Sequence, residues 1–522
     1  MVSSGSFLSW QGDAERNRSF GQPRPSMAGK ISTFREQKGI YCTTRGAVKL
    51  LGISVVVVVL GLVGDAGAQS LTTLHSFTDL GDQLFPESAL IQGSDGNFYG
   101  TTSGGPGPGD TQLYGTVFRI TSGGSLSNLW VFSGGDDGAF ASAPLVQGTD
   151  GNFYGTTQNG GTNGWGNVFR VSPGGVLTNL VSFDPPPGPS LPYAGLVQGS
   201  DGNFYGTTAY GGNTNGGVLA ASGRGTVFRM TPSGAVTNLH SFSGPDGWAP
   251  YAGLVQGTDG NFYGTTFVGG TSSNCPNGCG TVFRMSPDGS LTTLWSFSGT
   301  NGAAPTAGVV EGADGNFYGT TTGGGAHGTG TVYRVSSGGS LTTLWSFTGG
   351  SDGANPRGLV QGSDGNFYGT TPAIGVGHSG TVFRVTSTGG FTNLWSFTNG
   401  SDGANPQAGL VQGSDGKFYG TTSQLNGGSN KFGTVFRMTV PLNPPANQVN
   451  GIQTVGSDII FTIPAVAGET YQLQVITDLQ SGTWSNVPGL SVSNSIGALL
   501  TLTNFGGAVV APQAFYRFDI TP

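Results

Sequence analysis

Apolar and polar residues alternate along this chain in short runs, and the runs recur. Between positions 252 and 297, "AGLVQG" (252–257), "NFYGTT" (261–266), "GTVFRM" (280–285) and "LTTLWSF" (291–297) each read as a short β-strand, here called a, b, c and d. The a–b link is "TDG" and the c–d link "SPDGS", both tight, and Asp-Gly suits a hairpin that needs positive φ. The octapeptide "DGNFYGTT" opens strand b at Asp95, Asp150, Asp201, Asp259, Asp314 and Asp364, and returns as "DGKFYGTT" at Asp415. Successive copies lie 55, 51, 58, 55, 50 and 51 residues apart. A period near 50 built from β-type residues predicts propeller blades or a similar array.

The strand count predicts how the array ends. The a-b-c set occurs seven times, but strand d follows only the first six; after the last "GTVFRM" (433–438) the chain turns to "TVPLNPPANQ". A displaced d-like strand, "LTTLHSF" (71–77), precedes the first set. An open solenoid has no use for it, whereas a ring closed by it leaves no sheet edge exposed. The expectation is an all-β, seven-bladed β-propeller over residues 69–440, closed by its N-terminal strand. A Pro-rich linker (441–450) and a small C-terminal β-sandwich (451–522) follow, the latter from "DIIFTI", "TYQLQVI", "GALLTLT" and "AFYRFDI".

Composition changes this picture little. Gly is extreme at 98 of 522 residues, yet 11% aromatic and 35% hydrophobic residues exclude a disordered low-complexity chain, and no three-residue glycine period exists for collagen. Only 9% of residues are charged and no long helical period follows the N-terminal region.

The first 68 residues read as a targeting segment. Arg45 and Lys49 precede the apolar run "LLGISVVVVVLGLVG" (50–64), short of the roughly 20 residues of a membrane-spanning helix, and "AGA" (66–68) supplies a cleavage site. The long stretch ahead of Arg45 makes Met27 an alternative start. A Sec-type signal places the product outside the cell or at its surface, with no membrane insertion after cleavage. That segment holds eight Lys/Arg and four Asp/Glu, so the exported chain keeps 12 basic and 23 acidic residues, a net −11. No positive footprint for nucleic acid remains. Cys275 and Cys279 in "CPNGC" read as a local loop disulfide, since no further ligands for zinc lie in sequence reach.

The unit "GLVQGSDGNFYGTT…GTVFRV…GSLTTLWSF" resembles the GloVer (Gloeobacter/Verrucomicrobia-type) tandem repeat of exported bacterial proteins, over about residues 71–438. The resemblance implies an exported repeat protein and assigns no biochemical activity. Members of that family end in one of several surface anchors; the final residues here, "FYRFDITP", are neither an apolar helix nor a basic tail. More loosely, "DGNFYG" is similar to the "DGNLW" grammar of streptogramin-lyase-like propellers, in which His and acidic residues around the channel carry lyase chemistry.

Candidate chemistry is sparse. Each unit pairs a turn Asp with a strand-c Arg: Arg119, Arg170, Arg229, Arg284, Arg334, Arg384 and Arg437. Seven equal copies predict a structural role, each Arg bonding its own blade's Asp carboxylate or turn carbonyls. His75 and His240 fill the strand-d slot held elsewhere by Trp130, Trp295, Trp345 and Trp395, and read as packing variants. The long, variable links are all b–c and d–a, which fall on one face; loops on a rigid scaffold are where binding usually lives. That face is expected to carry His327, His378, Asp352, Asp402 and the aromatics Trp165, Tyr210, Trp248 and Tyr251, which can stack on sugar rings or pack between blades. Asp352 and Asp402 sit in "SDGANP" loops, where one carboxylate per loop suits a turn rather than calcium. Strand a repeats Gln92, Gln147, Gln198, Gln256, Gln361 and Gln412, with Glu311 as the odd carboxylate. These residues either line the channel or bond backbone between blades, and Glu311 is the one acid/base candidate there.

No serine elbow, phosphate loop or zinc signature fits its context, so no catalytic residue, metal or cofactor is assigned. The reading is a monomeric, exported, non-catalytic binding or scaffold propeller that recognises glycan or protein on the variable face. The alternative is a propeller lyase or hydrolase using the channel.

Overall fold

The computed structural model describes residues 46–50, 53–57, 69–77, 85–106, 112–212, 223–372, 379–423 and 432–440, and the strands within 451–521. The sequence-defined linker (441–450), the proposed cleavage site, Met27 and His378 lie outside the described residues.

Every element among the described residues is a strand, and none is a helix long and apolar enough to cross a membrane. Seven four-stranded antiparallel sheets form the blades of a β-propeller. Blade 4 is typical: strand a Val255–Gln256, b Phe262–Thr266, c Thr281–Met285 and d Leu291–Ser296, hydrogen-bonded in that order. In the seventh sheet, Val411–Gln412, Phe418–Thr422 and Thr434–Thr439 are joined by Ser70–Ser76, with Leu71 opposite Met438 and Ser76 opposite Thr434. Beyond the blades, Gly451–Val455, Asp458–Ala465 and Ala498–Asn504 form one three-stranded sheet; Ser485–Ser493, Thr470–Ile476 and Phe515–Thr521 form another. In the apolar N-terminal run, Gly46–Leu50 pairs with Ile53–Val57.

Two details differ from the sequence expectation. Strand a shrinks to two residues in six blades and three in blade 6 (Leu359–Gln361). Its lead-in carbonyls are taken instead by the neighbouring blade: Thr207 donates its hydroxyl to the Ala252 carbonyl at 3.1 Å, and Thr370 to that of Ala408 at 2.7 Å. Strand d also slips one residue against c, as between Val282 and Phe283, a β-bulge that increases the local twist.

The octapeptide builds the joints between blades. Its Phe and Tyr are adjacent on strand b and so point to opposite faces. Each Tyr stacks on the Phe of the next blade: Tyr99 on Phe153 at 3.9 Å, Tyr263 on Phe317 at 3.7 Å, and Tyr419 on Phe98 at 3.9 Å, which joins the last blade to the first. A second layer sets the last Phe beyond strand d against the next blade's strand c, as Phe242 on Phe283 at 5.4 Å and Phe77 on Phe118 at 5.7 Å. The octapeptide's second Gly is what lets strand c lie across strand b. A Cβ at Gly264 would stand 2.6 Å from the Phe283 ring and 2.7 Å from Leu254.

Candidate functional site

The smooth face is a set of closed polar circuits. The turn Asp begins each one. Asp259 accepts from the Asn261 backbone N–H (3.0 Å), the Asn261 amide (2.8 Å) and the Tyr263 hydroxyl (2.8 Å). The Asp95 and Asp150 circuits repeat this geometry.

The sequence left the strand-c Arg two partners, the Asp carboxylate or turn carbonyls, and Arg437 donates to the Ser122 turn carbonyl of the next blade at 3.4 Å. Register places each Arg opposite the Tyr, as Arg284 opposite Tyr263, so the guanidinium meets the Tyr hydroxyl and its charge helps hold the Asp259 carboxyl down. Tyr is the link that four-residue spacing along the extended strand brings down onto the turn. Burial, reinforced by the Asp acceptor, pushes the hydroxyls of Tyr99, Tyr205, Tyr263, Tyr318 and Tyr419 up to about 12, against an opposing pull from the Arg.

The carboxyls of Asp95, Asp150, Asp201, Asp259, Asp314 and Asp415 lie below the usual range. Partial burial would raise them, but the hydrogen bonds from the neighbouring side chains and backbone outweigh it. A carboxyl depressed by folding stabilises the fold above its unfolded value and loses that contribution as pH falls through its folded value. Thermal melts should therefore show the melting temperature dropping as pH falls below about 4. Replacing several turn Asp residues by Asn should lower the melting temperature at neutral pH and flatten that decline. An unchanged slope in such a variant would refute the assignment.

The strand-a amides form a girdle between blades. Gln256 accepts from the Ser200 N–H of the preceding blade at 2.8 Å and donates to the Gly260 carbonyl of its own turn at 3.0 Å. Gln92 and Ser414 make the same contact between the last blade and the first, at 2.8 Å. Glu311 keeps half of this pattern. Its carboxylate accepts from the Thr258 N–H (2.9 Å) and hydroxyl (2.7 Å), but as a carboxylate it has no proton to donate toward its own turn. Glu311→Gln should therefore stabilise the protein by about 0.5–1.5 kcal/mol, read as a rise in denaturation midpoint at constant slope.

On the variable face the candidates separate. Asp352 and Asp402 are buried caps of the d–a corners. Asp352 accepts from the Trp345 indole (3.3 Å), the Thr348 N–H (2.9 Å) and the Thr348 hydroxyl (2.5 Å), and Asp402 repeats this with Trp395 and Thr398. His240 is more than a packing variant. Where other blades set an indole N–H on this Asp, its Nε2 lies 2.8 Å from Asp246. Burial would raise the Asp246 carboxyl, but the bonds from His240 and Ser243 dominate and hold it at about 2. Both strand-d histidines set their rings edge-on to the following Phe, His240 to Phe242 and His75 to Phe77, each at 5.1 Å. His327 is exposed on its b–c loop.

The aromatics are partly buried rather than freely exposed. Trp165 packs against the blade 2–3 core, and Trp248 lies under the Arg224 guanidinium at 5.8 Å. Tyr210 and Tyr251 come together through their hydroxyls, and Tyr251 also packs edge-on to Tyr193 at 5.2 Å and against Phe267 at 5.3 Å. Burial, with the Tyr210 bond second, pushes the Tyr251 hydroxyl well up. Cys275 and Cys279 are joined, 5.3 Å apart at Cα, in the b–c loop of blade 4. Among the described residues no group of three or more His, Cys, Asp or Glu converges as a metal site would require.

Sequence reading singled out Tyr251 but missed that it belongs to a set of positions, the residue after the corner proline that leads into strand a: Glu87, Tyr193, Tyr251, Thr306, Arg357 and Gln407. Here the inner strands crowd. A Cβ on Gly308 would lie 2.8 Å from the Gly253 carbonyl, and one on Gly409 would lie 3.0 Å from that of Gly358. The Arg357 guanidinium reaches Thr306 of blade 5 (3.4 Å) and Gln407 of blade 7, and acts electrostatically on Glu87 of blade 1. The signal was present: "NPRGLVQG" in blade 6 is one residue shorter than "NPQAGLVQG" in blade 7.

A family model described as the Gloeobacter/Verrucomicrobia repeat matches residues 64–221 and 267–454. No curated protein is significantly similar to the chain. Among solved structures, a periplasmic gluconolactonase of Pseudomonas aeruginosa superposes with a TM-score of 0.41 at 15% identity, covering 75% of this chain and 96% of its own. A puromycin hydrolase gives 0.43 at 12% identity, covering 75% and 62%. An α-L-arabinanase of Penicillium chrysogenum complexed with arabinobiose gives 0.38 at 11%, covering 71% and 98%. At these values the likenesses carry no activity across.

Proposed function

This chain belongs to the Gloeobacter/Verrucomicrobia repeat family, and we propose that it is an exported, non-catalytic binding propeller that recognises glycan or protein through the face bearing its b–c and d–a loops. The observation that supports this most is the contrast between the two faces. The repeated residues are committed to one another in the Asp–Asn–Tyr–Arg circuits and the Gln girdle, whereas Tyr193, Tyr210, Trp248 and Tyr251 stand at positions that vary among the blades and are only partly covered. Partly exposed aromatics on a rigid scaffold present apolar area with a polar tip, which suits sugars and peptides alike. In this reading the strand 70–76 clasps the ring, the C-terminal sheets pack as a separate β-sandwich, and the product acts as a monomer outside the cell.

The test is an array of glycans and extracellular proteins probed with residues 69–522, run beside a lyase and hydrolase screen on polysaccharides. Selective binding that weakens in Trp248→Ala or Tyr210→Ala, without turnover, is the expected result. Turnover abolished by Glu311→Gln or His327→Ala would replace this reading with the enzymatic one.

A further inference from the structure

We propose that the ring of residues following the corner prolines, at the throat of the channel on the variable face, holds a single hydroxylated ring, the terminal pyranose of a neutral oligosaccharide. This rests on the reading of that face as the binding face and names its ligand class.

The ring is placed by the fold and filled without regard to the repeat. Around it, the strand-a lead-ins of neighbouring blades approach to backbone contact distance, and Arg357, displaced by the one-residue-shorter lead-in of blade 6, reaches the side chains of the two flanking blades. Blades 3 and 4 contribute Tyr193 and Tyr251, two partly exposed rings set edge to face at 5.2 Å. Blades 5, 6, 7 and 1 contribute Thr306, Arg357, Gln407 and Glu87. One arc is thus aromatic and the opposite arc polar. A pyranose has the same division, with apolar C–H faces and a rim of hydroxyls.

The polar arc is built for hydroxyls rather than for a charge. Arg357 spans to Thr306 and Gln407. Glu87 balances the guanidinium electrostatically, so the pair presents no net charge. A ligand carboxylate would compete with Glu87 for Arg357. A neutral diol fits between them, accepting from the guanidinium and donating to the carboxylate. Burial also draws both groups toward their neutral forms, raising Glu87 and lowering Arg357, which makes a bound polar partner more favourable.

The experiment is calorimetric titration of residues 69–522 with cellotetraose, maltotetraose, mannotetraose and tri-galacturonate. Wild type is compared with Arg357→Met, Glu87→Gln and Tyr251→Phe, each checked by thermal melting. The expected result is that at least one neutral tetrasaccharide binds. Affinity falls about tenfold or more in Arg357→Met, less in Glu87→Gln, and little in Tyr251→Phe, which keeps the stacking ring. Because Glu87→Gln preserves shape and hydrogen bonding, it remains informative if Arg357→Met does not fold. Binding of tri-galacturonate in preference to the neutral sugars overturns the ligand class. Array binding that survives Arg357→Met and Glu87→Gln but is lost in Trp248→Ala overturns the throat and leaves the face reading intact. Failure of wild type to bind any glycan or protein on the array overturns both.

Discussion

A chain starting at residue 85, without the strand Ser70–Ser76 and without Phe77, is expected to lose its single cooperative thermal transition and to run as larger species in size-exclusion chromatography. The strand supplies the outer ladder of the seventh sheet, six residue pairs in register with Thr434–Thr439. Its removal bares that edge, which is then a template for another chain. It also removes Phe77, fully buried against Phe118 of blade 1. Phe77→Ala alone should cost about 3–5 kcal/mol, seen as a fall in melting temperature on the order of 5–10 °C. A truncated chain that stays monomeric and melts at the wild-type temperature would show that the strand is dispensable.

Tyr318→Ala is expected to be of similar severity, and the contrast with Tyr318→Phe separates its two roles. The ring is fully buried and stacks on Phe367 at 3.8 Å, while the hydroxyl donates to Asp314 at 2.8 Å. Removing the ring empties a joint between blades, at about 3–5 kcal/mol. Phe keeps the stack and removes only the hydroxyl, leaving Asp314 with its Asn316 bonds and Arg334 without its partner, at about 1–3 kcal/mol. Chemical denaturation of the two variants reads the difference directly; equal losses would mean that the stack contributes nothing beyond the hydrogen bond.

These two experiments mark what was legible in the sequence. The blades were, because strand alternation, Asp-Gly turns and a 50-residue period are local signals. The partners of "DGNFYGTT" were not. Tyr99 meets Phe153 only once neighbouring blades are in place. The Asp–Arg pair suggested itself because both residues repeat, yet pairing Arg284 opposite Tyr263 put the Tyr hydroxyl between them. His240 read as packing because its Asp246 partner is visible only after the corner folds back. The throat residues were hidden for a related reason. They recur in position but vary in identity, Tyr in two blades and Glu, Thr, Arg or Gln in others, so a search for repeated chemistry passes over all but Tyr251.

The central claim is that the repeated residues join blades and the unrepeated ones recognise. The measurement that tests it most directly is the binding pattern of Tyr318→Phe on a glycan and protein array at a temperature well below its melting point, set beside that of Tyr251→Ala. The account expects Tyr318→Phe to melt earlier and keep the wild-type pattern, and Tyr251→Ala to lose or narrow it. A pattern lost in Tyr318→Phe and kept in Tyr251→Ala would contradict the account, and would make the octapeptide itself the binding site.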